Sequence, residues 1–238
     1  MNWHFIDTNE NDGKYNMDFD IALAGKVDNE NSFLRFYQWK PYCISLGANQ
    51  TFDDVDLTLI NSDGIDIVKR PTGGRAILHA EELTYSVNIS VHCGLTSHQI
   101  YEKISLALVN GLRKYDKRLF EIELEAVQPN FQNLLKLPQG KICFASTAKS
   151  EVKFKGKKII GSAQRKMKDS ILQHGSILIG KYHRNLSKYI YSASFHEEDF
   201  DKRTIELESI LQEEINLKKL KESLLQGFQE EWSIDVFH

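Results

Sequence analysis

Apolar positions change their period several times along the chain, and each change marks an element. Met17, Ile21 and Ala24 recur at helical spacing and predict a helix over 17–24, ended by the polar stretch 28–31. Aromatic and β-branched residues then concentrate in 34–39 and 42–46, two strands separated by Lys40-Pro41 and expected to form a hairpin or to lie side by side. A short helix over 53–60 stops at Gly64, and 65–69 alternates as a half-buried strand does. The clearest strand is 83–90, where Leu83, Tyr85, Val87 and Ile89 face one way and Thr84, Ser86, Asn88 and Ser90 the other.

Beyond it, Ser97 is the expected cap of a long helix on which Ile100, Ile104, Leu108 and Leu112 form an apolar stripe, with Lys114, Lys117 and Arg118 at the end that favours cations. A strand is expected over 122–127, an irregular connection over 129–140, a hairpin over 151–163 turning near Lys155-Gly156, and a strand over 171–179. Helical character follows Lys181, and the Glu-, Lys- and Leu-rich stretch 201–231 suits two amphipathic helices. The sum is an α+β chain dominated by a mixed or antiparallel sheet. One domain is expected over 1–238, its helical C-terminal part from about 182 being too small to stand alone.

Composition narrows the function classes. With 41% hydrophobic residues, 26% charged residues and 4 prolines, the chain has the makings of a core and not of a disordered or collagen-like polymer. Its 30 basic and 33 acidic side chains balance to −3, which gives no reason to expect nucleic acid or a membrane as partner. No apolar run approaches the roughly 20 residues of a spanning helix, and the opening Met1-Asn2-Trp3-His4 does not read as a signal peptide, so a cytoplasmic location is expected. The odd count of 3 cysteines, Cys43, Cys93 and Cys143, suits free thiols.

Three segments break the local rules. In Arg70-Pro71-Thr72-Gly73-Gly74-Arg75-Ala76-Ile77-Leu78-His79, a glycine pair lets backbone amides approach a ligand, and the flanking arginines suit a carboxylate or phosphate; the same residues also make an ordinary tight turn. In the basic run 153–168, Lys153, Lys155 and Lys157 alternate with Val152 and Phe154 as on an exposed edge, whereas Lys158 falls out of that alternation and precedes Gly161-Ser162-Ala163. Such a lysine can hold an acyl carbonyl or a phosphate. Cys143 follows Pro138-Gln139-Gly140 in an irregular, lysine-rich stretch that favours a thiolate, while Cys43 and Cys93 sit in or beside strands as small core residues.

Taken together, the segment from Arg70 to His79, Glu82-Leu83-Thr84-Tyr85-Ser86-Val87, and Gly156-Lys157-Lys158-Ile159-Ile160-Gly161-Ser162-Ala163-Gln164 resemble the biotin/lipoate protein ligase and octanoyltransferase family, in order and in spacing. The resemblance runs from the first helix to about Gly180. Within it, Cys143-Phe144 upstream of the hairpin and Ile171-Leu172-Gln173-His174-Gly175-Ser176-Ile177 after it are closest to the cysteine-dependent octanoyltransferases. Two positions depart from the family pattern: Ala80 stands where an acidic residue often follows the histidine, and Lys69 replaces a common arginine.

What the resemblance implies is an α+β catalytic domain with a larger and a smaller sheet around an acyl-chain site. Cys143 would take octanoyl from acyl carrier protein as a thioester, and Lys158 would contact the acyl carbonyl. Arg70, Thr72, Gly73, Gly74, Arg75, His79, Tyr85, Gly161, Ser162 and Ala163 would bind substrate. The acceptor would be the lysine of a lipoyl domain, such as glycine cleavage H protein or a 2-oxoacid dehydrogenase subunit. No cofactor is expected for the transferase. An ATP- and Mg-dependent lipoate ligase, and a non-catalytic protein binding lipoyl domains or acyl carriers, are the alternatives. The basic run would steer an acidic carrier, and Leu78, Tyr85, Ile159 and Ile160 are expected to wall the acyl tail. His79 and Lys158 are the candidate bases for the acceptor amine.

Overall fold

The computed structural model describes residues 1–125, 151–191 and 197–238. Strand β1 (Asn2–Asn11) leads into α1 (Gly13–Ala24), whose start is fixed by the Asp12 side chain accepting from the Tyr15 N–H. The helix begins a turn earlier than the apolar repeat predicts. Its buried face, Gly13, Asn16, Met17, Asp20, Leu23 and Ala24, mixes polar with apolar residues, so hydrophobicity marks only its second half.

The strands β2 (Asn31–Trp39) and β3 (Cys43–Leu46) do not pair with each other. The expected hairpin is replaced by a crossover between two sheets. β2 belongs to a seven-stranded sheet ordered β1-β2-β6-β10-β9-β8-β7, and β3 is the centre of a three-stranded sheet ordered β4-β3-β5. The remaining strands are β4 (Asp66–Lys69), β5 (Ile77–His79), β6 (Glu82–Ser90), β7 (Ile122–Leu124), β8 (Val152–Phe154), β9 (Lys157–Lys166) and β10 (Ser170–Leu178). β1 runs parallel to β2 and β3 parallel to β4; the other pairings are antiparallel, as a mixed sheet with a small companion requires. The expected helix over 53–60 divides into a 3-10 turn, Phe52–Asp54, and α2 (Leu57–Ser62).

One face of the large sheet is apolar. Leu34, Phe36, Leu83, Tyr85, Val87, Ile160 and Ile177 pack there in one core cluster with α3 (Ser97–Tyr115) and α6 (Leu217–Trp232). Thr96, not Ser97, caps α3, accepting from the Gln99 N–H at 3.2 Å. The opposite face is polar yet equally covered: every residue of β6 is buried, because α1 lies over the Thr84 and Ser86 side and the small sheet closes beside it. Alternation along 83–90 therefore marks two buried faces, not one buried and one wet.

After β10 the chain makes a 3-10 segment, Tyr182–Lys188, then α4 (Glu197–Arg203), α5 (Leu207–Leu211) and α6. The two helices expected over 201–231 are α5 and α6. The expected strand over 122–127 is β7 as far as Leu124; its last two positions, 126 and 127, and the connection 129–140 lie outside the described residues. Among the described residues no helix is long and apolar enough to cross a membrane.

Candidate active site

The buried polar face between α1, the large sheet and the small sheet holds the chemistry. Arg35, with no exposed surface, donates to Asp20 Oδ1 at 2.8 Å and to the Asn16 side-chain oxygen at 2.6 Å, tying β2 to α1. Asp20 also accepts from Ser86 Oγ at 2.7 Å and Tyr37 OH at 3.0 Å, and its Oδ2 lies 3.4 Å from His174 Nδ1. Burial penalises the Asp20 carboxylate, but the His174 contact, the Arg35 charge and the Ser86 hydroxyl outweigh it and hold its pKa below the ordinary value. His174 is pushed the other way for a base: burial lowers its pKa, against the pull of Asp20, so it is held as neutral imidazole. Its Nε2 sits 2.6 Å from Thr72 Oγ1, joining β10 to the glycine loop.

The glycine loop is organised from within by Arg70. This side chain is buried; Nη1 donates to the Ser45 carbonyl at 2.8 Å, and Nη2 to the carbonyls of Gly73 at 2.9 Å and Arg75 at 2.7 Å. The guanidinium fork is turned onto backbone carbonyls, which gives Arg70 a scaffolding role in the loop. Arg75 is half-buried at the loop's end. Gly74 has φ +94°, a conformation that favours glycine. Its carbonyl oxygen lies where a Cβ on Gly47 would come within 2.0 Å, so the loop 47–50 and the glycine loop touch backbone to backbone.

His79 is locked rather than poised. Its Nδ1 is 2.8 Å from Glu82 Oε1, its Nε2 is 2.7 Å from Ser45 Oγ, and its ring stacks on Trp39 at 4.1 Å. Glu82 in turn accepts from Thr84 Oγ1 at 2.6 Å and Ser176 Oγ at 2.9 Å. Between this group and His174 lies a small cavity of about 20 Å³, walled by Met17, Tyr37, Trp39, Ile77, Gly161 and Ala163 among others. A larger open groove of about 930 Å³ runs past Lys157, Arg184 and Glu206 and is lined by none of the glycine-loop residues.

Lys158 reaches the polar face by way of a β-bulge. Val152 pairs with Ile160 but the next residue, Lys153, pairs with Lys158, so β9 carries one extra residue, Ile159. Paired residues share a face, and Val152 and Ile160 point into the apolar core, so Lys153 and Lys158 point the other way, to the side of Gly161 and Ala163. The bulge is the physical reason that Lys158 breaks the alternation in the sequence. Its side chain has no exposed surface, and Nζ lies 2.9 Å from Glu151 Oε2. Its carbonyl accepts from the Ile205 N–H at 3.0 Å.

Tyr85 and Ser162 are brought together, but on the far side of the sheet. Their hydroxyls meet at 2.7 Å, and Gln173 donates to Tyr85 OH at 3.1 Å. Burial pushes the Tyr85 phenol up to about 12. The contact passes over Gly175, where a Cβ would come within 2.5 Å of the Gly161 carbonyl oxygen and 2.8 Å of the Tyr85 ring. The structure thus gathers Arg70, Thr72, Gly161 and Ala163 around His79 and His174, and separates Tyr85 and Ser162 from them. The expected acyl-wall residues are likewise redistributed: Tyr85, Ile159 and Ile160 pack in the helix-side core and Leu78 in the small-sheet core.

The basic run also divides. At the hairpin end, Lys153 pairs with Glu125 and Lys155 with Glu121, and Lys157 donates to the Asp201 carbonyl. Lys153 is no exposed-edge residue, since β7 covers that side of β8. At the other end, Arg165, Lys166 and Lys168 are exposed, and Arg165 donates to the Pro71 carbonyl at 2.6 Å, beside the glycine loop.

The sequence pattern assigns no role of their own to Asp20, Arg35, Tyr37, Trp39, Glu82, Glu151, His174 and Ser176. The available signal was polar residues at alternate positions, Thr84 and Ser86 on β6 and His174 and Ser176 on β10, in strands too central to be wet. Of the cysteines, Cys43 is buried, and burial together with Asp66 raises its thiol well above the ordinary range; Cys93 is half-buried. Cys143 lies outside the described residues. Among the described residues no cluster of His, Cys, Asp or Glu is arranged to hold a metal ion.

Comparison with known proteins places these features in context. Residues 12–229 match the model of the lipoyl protein ligase A/B catalytic domain. The octanoyltransferase LipM of Macrococcus caseolyticus is 33% identical over 95% of this chain and 86% of its own, and that of Staphylococcus aureus is 32% identical over 98% and 88%. Among solved structures, a lipoate-protein ligase A bound with ATP superposes with a TM-score of 0.78 at 21% identity, covering 100% of this chain and 88% of that one. A bi-partite lipoate protein ligase from Thermoplasma acidophilum, described with its E2 lipoyl domain, gives 0.77 at 21%, covering 100% and 86%. At such identities these two likenesses speak for the fold alone.

Proposed function

The chain belongs to the lipoyl protein ligase A/B catalytic-domain family, and from this premise we propose that Cys143 carries an octanoyl group as a thioester while Lys158 steadies its carbonyl. Its activity is octanoyl transfer in protein lipoylation. The observation that carries this reading is the match of 32–33% identity over 95–98% of the chain to octanoyltransferases.

The donor is octanoyl acyl carrier protein. The Cys143 thiolate attacks the thioester carbonyl, and the tetrahedral intermediate expels the carrier's thiolate, which takes its proton from solvent. The acceptor is the lysine amine of a lipoyl domain, which attacks the enzyme thioester, gives up a proton to solvent and returns Cys143 to its thiolate. Thioester exchange is nearly balanced in energy and amide formation from a thioester runs downhill, so neither step needs ATP. In both steps negative charge develops on the same oxygen. An N–H of Lys158 directed at that oxygen stabilises the transition state more than the ground state.

His79 serves this reaction as a scaffold. Both of its ring nitrogens are engaged and its face is covered by Trp39, so it is not placed to take the acceptor's proton, and Lys158 acts as the charged donor to the oxyanion. The acyl tail enters between Met17, Tyr37, Trp39 and Ile77. The present cavity of about 20 Å³ has room for little more than one water molecule, so an eight-carbon chain moves these side chains as it enters. Each methylene buried there contributes about 0.8 kcal/mol.

The exposed group Arg165, Lys166 and Lys168 lies beside the glycine loop and suits the approach of an acidic carrier. The ligase alternative has fold likeness in its favour but no feature of the described site that requires a nucleotide. The two readings separate in one assay: octanoyl carrier protein plus a lipoyl domain, with ATP omitted, against free octanoate or lipoate plus ATP. The expected result is octanoylated lipoyl domain in the first mixture and none in the second. The reverse pattern would make the chain a ligase.

A further inference from the structure

We propose that Glu151 is a positioning residue for octanoyl transfer: its carboxylate keeps the buried Lys158 side chain charged and aimed at the place of the acyl carbonyl. The inference rests on the role given to Lys158 above. It starts from the geometry of the pair. Lys158 Nζ and Glu151 Oε2 are 2.9 Å apart, with the lysine side chain 0% and the glutamate side chain 6% exposed.

Placing an ammonium so deep is costly unless a counter-charge lies against it. Glu151 supplies that charge from the residue just before β8, on the same face of the hairpin as Lys153 and Lys158. Pairing with a fixed carboxylate also limits where the ammonium can lie at the end of its flexible stem. A lysine on a bulge is otherwise a flexible chain of methylenes, so a group that sets both its charge and its position decides whether it meets the carbonyl oxygen.

Other charges surround the strand and are committed elsewhere. Lys153, across from Lys158, pairs with Glu125. On the C-terminal side, Arg184 pairs with Glu206 and Asp201, and His183 lies 3.2 Å from Thr204 Oγ1 and 3.6 Å from Glu206. Lys202 and Arg203 end α4, whose carbonyl at Asp201 takes the Lys157 ammonium. The Glu151 carboxylate lies directly against Lys158 Nζ.

The test compares the full-length wild type with Glu151→Gln and Glu151→Asp. The first readout is the single-turnover rate of octanoyl loading from octanoyl carrier protein, followed by intact mass from pH 6 to 9.5. The second is the 13Cε resonance of Lys158 against pH, assigned by its loss in Lys158→Met, which needs no activity. For Glu151→Gln the expected rate loss at saturating donor is on the order of 100-fold, with less than about a threefold change in half-saturating donor. The alkaline limb of the rate and the lysine resonance should both move to lower pH, because the ammonium loses its counter-charge. Glu151→Asp should restore most of the rate and the wild-type pH limits.

Coincident lysine titrations in wild type and Glu151→Gln would overturn the proposal, as would a rate loss that is uniform across pH. If the wild type itself forms no adduct, the octanoyl-transfer mechanism fails, yet the lysine titration still decides whether Glu151 sets the charge of Lys158.

Discussion

The Arg70 guanidinium holds the Gly73 carbonyl at 2.9 Å, and through its other nitrogen the Ser45 carbonyl at 2.8 Å, so one buried side chain fastens the glycine loop to the small sheet. Arg70→Ala should cost about 3 kcal/mol of stability because buried carbonyls lose their donors. Arg70→Lys should recover little, since an ammonium cannot span the same set of oxygens. Urea unfolding of the two variants checks this. Wild-type stability in Arg70→Lys would contradict the scaffolding role.

The Asp20–His174 contact makes stability depend on pH, and the sign is fixed by both groups. The folded-state pKa of Asp20 is lowered, so its contribution is present above the unfolded carboxylate value and is lost as pH falls through the folded one. His174 is lowered from 6.5, so the folded state resists taking a proton that the unfolded chain accepts, and stability drops as pH falls below 6.5. Urea midpoints measured from pH 7.5 to 5 should fall, and His174→Gln should flatten the part of that fall between about pH 7 and 6. An unchanged slope in the variant would assign the pH dependence elsewhere.

Gly175 lets the Tyr85 ring cross β10. Gly175→Ala would press a methyl against the Gly161 carbonyl oxygen at 2.5 Å and the Tyr85 ring at 2.8 Å. The expected destabilisation is about 2 kcal/mol, read from thermal unfolding, with loss of the Tyr85–Ser162 hydrogen bond. Gly73→Ala, where no atom lies within 4 Å of the new methyl, should be far milder.

Much of the architecture was legible because burial period and turn chemistry agree along most strands. The long helix α3, the strand β6 and the hairpin at Lys155-Gly156 are where the pattern puts them. What escaped has one cause. Reading apolar residues as inside and polar ones as outside fails where a polar face is itself covered, so Asp20, Arg35, Glu82 and His174, all buried, left little mark. The crossover from β2 to β3 was hidden because a Lys-Pro break separates hairpin strands and sheet-changing strands alike. Lys158 was visible as an irregularity, but only the register of β8 against β9 reveals the bulge behind it.

The divided basic run gives a selective test of carrier docking. Reversing Arg165, Lys166 and Lys168 to glutamate should raise the half-saturating concentration of octanoyl carrier protein about tenfold at low salt, with the difference shrinking as salt is added. Reversing Lys155 alone should change it less than about twofold, since a solvent-exposed pair such as Lys155–Glu121 adds little. Equal effects from both ends of β9 would leave the glycine-loop side without a special part in docking.

The most direct measurement is the intact mass of the protein after mixing with octanoyl carrier protein and no acceptor. The account predicts one added octanoyl group, mapped to Cys143 by peptide fragmentation, absent in Cys143→Ser and discharged when a lipoyl domain is supplied. An unmodified enzyme that nevertheless octanoylates the lipoyl domain, or an adduct on another residue, would contradict it.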